Sequence, residues 1–389
     1  MHAESVPLER LAREAGTPLY VYSANALRER YRAIANAFAD FEPLVCYSVK
    51  SNGNLAVLSL LAAEGAGFDI VSGGELFRVL RAGGDAGRTV FAGVGKKEEE
   101  MAQALAAGVH SINVESEIEL ERLDRVAREG GRGARAAIRV NPGVSPSTHA
   151  YVATGHAASK FGVSLDRARD ILQRARRWKG VEIVGLHAHI GSQILEVAPY
   201  VEALDRLATL LDAMPGRRLP WVDLGGGFGI DYGGGPGLDP EVLAAALREK
   251  LRTLRCGLVL EPGRWVSGPA GILLTRVIDV KRGGSRAFVV ADAGMNDLLR
   301  PALYGAQHRI VPVLEREGEA LRADIVGPVC ETGDFLGLDR ELGEYVIVHE
   351  LLHFSVPNHG KLWKSLMKAY LGDHEILHKR LQKAATRQS

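Results

Sequence analysis

Residues that can perform acid–base or nucleophilic chemistry stand where short apolar runs of this sequence end. Each run is followed by a polar or glycine-rich stretch. The residues at these ends are Lys50, Asp69, Ser72, Arg139, Asn141, the stretch from His189 to Gln193, Gly225–Gly227, and Glu261 to Arg264. If the runs are parallel strands of one barrel, their carboxyl ends meet at one rim, where barrel active sites lie.

These residue types fit a cofactor that carries both a phosphate and an aldehyde. Glycine-rich turns present backbone N–H groups to a phosphate, and Ser192 can add a hydroxyl. Lys50, partly desolvated and near cationic groups, is expected to have a lowered pKa and to react with an aldehyde. Glu261 can keep a pyridine nitrogen protonated, and His189 can stack on the ring. The pattern therefore indicates pyridoxal 5'-phosphate.

The pair His187 and His189 has two other readings. The residues are two apart and are expected on one face of a strand, so either can be an ordinary histidine inside a barrel. Metal binding is the second reading, but no third ligand is evident nearby.

The elements that must position these residues alternate between short apolar runs and longer amphipathic stretches. This alternation is typical of parallel strands joined by helices and predicts an α/β fold with a closed (β/α)₈ TIM barrel of the alanine-racemase type. The predicted strands are Leu44–Lys50, Gly67–Ser72, Thr89–Gly93, Ser111–Glu115, Ala136–Pro142, Glu182–Ser192, Trp221–Gly227 and Leu258–Arg264.

A second domain is indicated by alternating apolar and polar residues after the barrel, in GILLTRVIDVKRG, SRAFVVADAG and HRIVPVLERE. This alternation predicts antiparallel sheet, completed by a strand at Pro18–Ser23. The predicted domains are a cofactor-binding barrel at 24–265, a partial β domain at 1–23 and 266–344, and an atypical helical tail at 345–389.

Composition narrows the class of protein. The 389 residues are 46% hydrophobic and 24% charged, with a net charge of +1, which gives no sign of a nucleic-acid or membrane partner. Three scattered cysteines favour a reducing cytoplasm over a disulfide framework. The N-terminal stretch has no signal-peptide pattern, and no apolar run is long enough to span a bilayer.

The sequence resembles the fold-type III pyridoxal-phosphate decarboxylases, and most closely the bacterial diaminopimelate decarboxylase family. The similarity spans nearly all of residues 17–340. The matching stretches are YSVKSN (47–52), GFDIVSGGEL (67–76), RVNPG (139–143), SKFGV (159–163), HIGSQ (189–193), DLGGGFGI (223–230), EPGR (261–264), ADAGMNDLLRPALYGAQHRI (291–310) and GPVCETGDFLG (327–337).

The resemblance implies a role for each site residue. Lys50 would form the Schiff base, His189 would stack on the ring, and Glu261 would pair with the ring nitrogen. The full set implied to bind the cofactor is Lys50, Asp69, Arg139, His189, Ser192, Gly225, Gly226, Gly227, Glu261, Gly263 and Arg264.

The resemblance also implies the substrate and the assembly. Arg264, Arg300, Tyr304 and Glu331 would grip an amino-acid substrate. Cys330 would reach the site of a neighbouring subunit and protonate the carbanion, so a homodimer with shared active sites is expected; a small buried hydrophobe is the plainer reading of Cys330. The implied reaction is decarboxylation of meso-2,6-diaminopimelate to L-lysine and CO₂, the last step of lysine biosynthesis.

The resemblance fails after GDFLG. The aromatic motif that normally follows, whose tyrosine contacts cofactor and substrate, is missing, and Tyr345 and Tyr370 lie in other contexts. An alternative is therefore a cofactor-binding homologue that is catalytically impaired.

The tail instead resembles the end of a YgjP-like metallopeptidase domain. His349, Glu350 and His353 form an H-E-x-x-H pattern on a predicted helix, with His359 as a third candidate zinc ligand. The scaffold that would support such a site is missing from this stretch. A zinc metallopeptidase fragment, a join between unrelated genes and an ordinary packed helix all remain open.

Overall fold

The computed structural model describes residues 1–144, 160–212, 219–232, 237–283, 286–304, 306, 308–314, 323–330, 334, 376 and 379. The chain forms two compact units. One holds Ser23–Asp231 and Gly235–Gly271, and the other holds Met1–Tyr22, Tyr232–Gly234 and Ile272–Ser389. Among the described helices, none is both long and apolar enough to span a bilayer.

The N-terminal segment begins with a two-stranded antiparallel sheet and a helix, and then contributes a further strand. These elements are β1 (His2–Ala3), β2 (Val6–Pro7), α1 (Leu8–Ala15) and β3 (Leu19–Tyr22). The strand β3 falls within the predicted Pro18–Ser23.

The larger unit is a closed barrel of parallel strands, as the sequence predicts. The strand order around it is β10-β11-β4-β5-β6-β7-β8-β9. The strands are β4 (Leu44–Ser48), β5 (Gly67–Ile70), β6 (Thr89–Phe91), β7 (Ser111–Val114), β8 (Ala134–Arg139), β9 (Val181–His187), β10 (Trp221–Asp223) and β11 (Gly257–Leu260).

Helices alternate with these strands along the chain. They are α2 (Ala24–Ala37), α3 (Leu55–Ala63), α4 (Gly73–Arg81), α5 (Glu98–Ala107), α6 (Glu117–Glu129), α7 (Leu165–Gln173), α8 (Ala198–Asp212), α9 (Pro240–Leu254) and α10 (Arg264–Ser267). Short polar side chains cap several of them. The Ser72 hydroxyl accepts a hydrogen bond from the backbone N–H of Glu75, and Ser116 does the same for Glu119.

Every predicted barrel strand is present, but each ends earlier than predicted. The residues beyond the strands form turns at the carboxyl rim. Lys50, for example, lies in a single 3₁₀ turn at Val49–Ser51, and His189 follows β9 instead of lying within it. The reason is that the rim residues form turns such as the one at Val49–Ser51, whose backbone is not extended and so cannot continue the ladder.

The second unit contains further sheet. Its remaining elements are β12 (Gly271–Leu274), β13 (Val277–Gly283), β14 (Arg286–Ala291), α11 (Leu299–Tyr304) and β15 (Asp324–Val326). The strand β12 pairs with β3, so the predicted pairing with the N-terminal strand is present. The strands β13 and β14 are antiparallel, as predicted.

One predicted strand of this unit is wrong. Residues 308–314 of HRIVPVLERE, the part that the structure describes, are not in a strand. Pro312 lacks the N–H that a ladder needs, which explains the difference. The strand β15 pairs with β14 instead, and this pairing is parallel, so the sheet is mixed rather than antiparallel.

Two aromatic rings and a guanidinium pack together at the amino end of the barrel. His110 lies against Trp221 with ring centroids 4.3 Å apart, and the Arg135 guanidinium lies 4.4 Å from the centre of the same indole. Gly185 leaves room for the indole, because a Cβ there would lie 2.6 Å from a Trp221 ring carbon. Burial, helped by Arg135 and Arg88, lowers the pKa of His110 to about 4.

This low pKa predicts an acid-sensitive fold. Between pH 6.5 and about 4 the unfolded chain protonates His110 while the folded barrel does not, so the free energy of unfolding falls as the pH drops through this window. His110→Gln should reduce the total loss of unfolding free energy across this window by on the order of 1 kcal/mol. The effect is this small because His110 is partly exposed, and solvent weakens it. Urea unfolding at several pH values measures it. Identical slopes in variant and wild type would contradict the assignment.

Candidate active site at the carboxyl rim of the barrel

Lys50 is held by a buried carboxylate. Its Nζ donates to Asp69 Oδ2 at 2.7 Å, and the Ser48 hydroxyl donates to the same oxygen at 2.6 Å. Asp69 is fully buried on β5, whereas the Lys50 side chain is 46% exposed at the barrel mouth. The lysine is therefore both anchored and accessible.

The predicted direction of the Lys50 pKa is wrong. Burial lowers the pKa of Lys50, but the carboxylates of Asp69 and Glu261 outweigh burial, and the net pKa is raised. The sequence analysis assumed cationic neighbours, whereas the groups that face Lys50 most closely are acidic. Without cofactor, Lys50 is thus an ammonium, and it must lose a proton before it attacks an aldehyde.

Glu261 follows β11 and is almost fully buried. The Asn113 side-chain amide donates to its Oε1 at 3.2 Å, and His187 Nε2 lies 3.4 Å from its Oε2. Burial alone would raise the pKa of Glu261, but its contact with His187 and its attraction to Lys50 outweigh burial and hold the pKa below the usual range. Glu261 is therefore an ionised carboxylate inside the barrel, suited to pair with a cationic ring nitrogen.

The triple glycine forms a cradle that no other residue would fit. A Cβ at Gly226 would lie 2.1 Å from the carbonyl oxygen of Glu261, and one at Gly227 would lie 2.3 Å from the carbonyl oxygen of Gly191. Gly225 and Gly227 have φ values of 64° and 88°, which favour glycine. Such close backbone turns after β10 suit the N–H groups that bind a phosphate.

Two side chains meet beside this cradle. The Arg264 guanidinium donates to Ser192 Oγ at 3.2 Å, so the turn after β11 and the loop after β9 are joined. Gly263 packs closely as well, because a Cβ there would lie 3.0 Å from Ser48 Cβ. A guanidinium, a hydroxyl and glycine backbone are the donors that a phosphate ester requires. The residues present therefore fit pyridoxal phosphate.

His189 is a neutral imidazole. The backbone N–H of Gly226 donates to its Nδ1 at 3.1 Å, so the ring proton must sit on Nε2. Burial, Arg139 and Lys50 together lower the pKa of His189 well below its usual value. An uncharged imidazole fixed by the glycine turn is suited to stack on a flat ring.

Arg139 closes the other side of the rim. It is buried, it donates to Glu115 Oε1 at 2.6 Å, and the other oxygen of Glu115 accepts the backbone N–H of Gly162 at 2.8 Å. Its guanidinium also lies 4.6 Å from the centre of the Phe161 ring. The structure thus brings Arg139 into the rim, within electrostatic reach of His189, and ties it to a carboxylate.

Three buried residues behind the rim were not predicted from the sequence. Lys96 is only 1% exposed, and its Nζ donates to Glu119 Oε1 at 2.6 Å and to the carbonyl oxygen of Asn113 at 2.7 Å. Asn113 in turn contacts Glu261 and Asp223. Asp223 directly precedes the glycine motif, and this position was the available signal. Lys96 and Asn113 have no local motif around them.

The residues predicted to bind substrate lie in the second unit, apart from Arg264. Arg300 is on α11, with its guanidinium 5.0 Å from the Tyr304 ring and 5.3 Å from the Tyr232 ring. Cys330 is exposed. Glu331 lies outside the described residues, as do His349, Glu350, His353 and His359 of the tail.

Asp334, another residue that the sequence analysis missed, shapes the segment around Cys330. Its Oδ1 accepts the backbone N–H of Met295 at 2.7 Å, and its Oδ2 accepts that of Val329 at 3.1 Å. Glycine is required beside it, since a Cβ at Gly327 would lie 2.3 Å from that Oδ2. Asp334 therefore joins the segment before Cys330 to the turn that leads into α11.

Known proteins share this arrangement. Residues 24–268 match the family model of the pyridoxal-dependent decarboxylases, pyridoxal binding domain, and residues 334–384 match that of the YgjP-like, metallopeptidase domain. Diaminopimelate decarboxylase of Neisseria meningitidis serogroup A is 49% identical over 344 residues, covering 88% of this chain and 85% of the relative. The Aquifex aeolicus protein of the same name is 47% identical over 355 residues, covering 89% and 84%.

A solved structure agrees. Diaminopimelate decarboxylase of Helicobacter pylori, complexed with L-lysine, is 37% identical with a TM-score of 0.81, covering 85% of this chain and 84% of that one. The chain therefore belongs to the pyridoxal-dependent decarboxylases, and its cofactor is pyridoxal phosphate. Within them, it is a member of the diaminopimelate decarboxylase family. The predicted resemblance to the decarboxylases is confirmed, and the tail matches the family model of the YgjP-like, metallopeptidase domain.

Proposed function

We propose that this chain decarboxylates meso-2,6-diaminopimelate to L-lysine and CO₂. The observation that carries the proposal is the 49% identity to a diaminopimelate decarboxylase over 88% of the chain. The site supports it, because Lys50, Glu261 and the glycine cradle fit one cofactor in one orientation. Relatives solved with L-lysine are consistent with lysine as the product.

The barrel residues would hold the cofactor at three points. Lys50 would bind the aldehyde, Glu261 would pair with the ring nitrogen, and His189 would stack on the ring. The cradle Gly225–Gly227, with Ser192, Gly263 and Arg264, would take the phosphate. When bound, pyridoxal phosphate supplies an electron sink for the electrons left on Cα as CO₂ departs.

Asp69 and Arg139 would act on the charges around the cofactor. Asp69 accepts a hydrogen bond from Lys50 and so would orient Nζ toward the aldehyde. Arg139, tied to Glu115, would add positive charge beside the ring and help keep His189 neutral. Their burial, at 0% and 6% exposure, removes most solvent screening of these effects.

The substrate carries charge at both ends, and the proposed partners match it. Arg264 and Arg300 would bind carboxylate, where a planar guanidinium forms two parallel hydrogen bonds. Tyr304 would contact the substrate beside Arg300, and Glu331 would receive the distal ammonium. The Cys330 thiol would return a proton to the carbon that loses CO₂.

A homodimer with shared sites is part of the proposal. Four apolar side chains that follow β4 to β7 along the chain are exposed: Leu55, Phe77, Val94 and Ile118, at 45%, 65%, 40% and 71% exposure. An exposed apolar surface built from such residues favours burial by another protein surface. A second copy would cover them and supply Cys330.

The domain division and the compartment belong to the same proposal. We assign a barrel at 24–265, a β domain from 1–23 and 266–344, and a tail at 345–389, in accord with the units that begin at Ser23 and Ile272. Cys46, Cys256 and Cys330 are all free thiols, which supports a reducing cytoplasm.

Replacing Lys50 tests the reaction. Lys50→Ala should lose both CO₂ release from meso-diaminopimelate and the long-wavelength absorbance of the lysine-bound cofactor, while Lys179→Ala, a surface control, should retain both. Lysine, ornithine and arginine, each offered alone, should release no CO₂. Cofactor absorbance without CO₂ release in the wild type would instead identify a catalytically impaired homologue.

Mixing one inactive variant with one slowed variant tests the shared site. Cys330→Ala should slow turnover with cofactor still bound. If Lys50 and Cys330 of different subunits meet, dissociating and remixing Lys50→Ala with Cys330→Ala should restore about a quarter of wild-type activity, because half of the dimers would carry one intact site. Activity equal to the mean of the two separate variants would contradict sharing.

A further inference from the structure

Asp223 is a buried carboxyl group with no cationic partner. It ends β10 and is 1% exposed. Its Oδ1 accepts the backbone N–H of Gly225 at 2.8 Å, and its Oδ2 accepts the Asn113 amide at 3.3 Å. Within the described part of the chain, no lysine or arginine pairs with it. Two neutral donors alone do not offset the cost of burying an isolated carboxylate.

A second carboxyl group lies beside it. The side-chain oxygens of Asp223 and Glu261 lie within 4.8 Å of each other and of a His187 ring nitrogen. The two N–H groups of the Asn113 amide bridge the pair, reaching Glu261 Oε1 at 3.2 Å and Asp223 Oδ2 at 3.3 Å. Two carboxylates this close in a buried site repel each other strongly, so one of them keeps a proton.

The neighbours decide which carboxyl group is protonated. The titratable groups that surround the pair are Cys46 and Lys50 from β4 and its turn, Asp69 from β5, and His187 and His189 from β9 and its loop. The positive charge of Lys50 favours ionisation of Glu261, and His187 Nε2 lies 3.4 Å from Glu261 Oε2. Burial and the adjacent Glu261 raise the pKa of Asp223 well above its usual value.

We propose that Asp223 is an uncharged carboxylic acid whose O–H donates to the ionised Glu261, making Asp223 a positioning residue for that carboxylate. The proposal rests on the role of Glu261 toward the ring nitrogen given above. Hydrogen bonds from Asp223 and Asn113 make Glu261 a weaker base, so the shared proton stays on the ring nitrogen. Through Gly225, the same Asp223 side chain also fixes the first residue of the phosphate cradle.

Asparagine is the substitution that best imitates a protonated Asp223. In Asp223→Asn, the side-chain NH₂ replaces the O–H donor to Glu261, and the carbonyl oxygen still accepts from Gly225. The hydrogen bond from the Asn113 amide is lost, because an NH₂ group cannot accept it. An ionised aspartate would not be copied, because the charge would be lost. Asp223→Ala removes all of these interactions.

Infrared difference spectra of the full-length holoenzyme test the proposal at neutral pH. Wild type minus Asp223→Asn should show the carbonyl stretch of a protonated carboxylic acid. A chelator, which would remove any metal ion held by His187, Asp223 and Glu261, should leave this band unchanged. Wild type minus Asp124→Asn is the control, since Asp124 pairs with Arg128 and should contribute only ionised-carboxylate bands. Absence of the protonated band, or its appearance only after chelation, would overturn the proposal.

Measurement of kcat/KM for the Asp223 variants is the second test of the proposal. Asp223→Asn should keep kcat/KM within about threefold of wild type, whereas Asp223→Ala should lose roughly tenfold or more. Equal losses in both variants would overturn the positioning role. A protonated Asp223 in a protein that releases no CO₂ would refute the proposed reaction alone, and a missing band in an active enzyme would refute only this inference.

Discussion

A carboxylate buried inside a protein is costly unless neighbouring groups compensate its charge, and Glu261 imposes this constraint on the whole barrel. Its partners come from strands far apart in sequence: Asn113 from β7, His187 from β9 and Lys50 from the turn after β4. Only a closed ring of strands brings these groups around one point. The barrel thus holds one negative charge at its rim, and in the proposed function this charge pairs with the ring nitrogen of the cofactor.

The need to compensate buried charge also determines the contacts of the residues behind the barrel rim. Lys96, itself buried, fixes the backbone of Asn113 and is balanced by Glu119. A buried ammonium without its carboxylate would be strongly destabilising, so Lys96 can be buried only because Glu119 is buried beside it. The positions of Asn113 and Glu261 therefore depend on a chain of compensated charges that starts at the helices around the barrel.

The pattern of apolar runs predicted the eight barrel strands and the rim, because strand periodicity and rim chemistry are local properties of the sequence. The strand ends were not predicted, since apolar residues continue into turns such as Val49–Ser51. Lys50, Glu261 and the triple glycine were found through motifs. Asp223, Asn113 and Lys96 were not singled out, because their importance arises from contacts between distant strands. The sign of the Lys50 pKa shift was wrong because Asp69, on the neighbouring strand β5, accepts a hydrogen bond from the Lys50 ammonium, a contact that the sequence pattern does not show.

The protonation state of the ring nitrogen tests the central claim most directly. With ¹⁵N-labelled pyridoxal phosphate bound, the nitrogen chemical shift should report a protonated ring in the wild type at neutral and mildly alkaline pH. In Glu261→Gln it should report an unprotonated ring, and Glu249→Gln, at a side chain that is 89% exposed, should match the wild type. An unprotonated ring in the wild type, or a protonated one in Glu261→Gln, would contradict this account of the site.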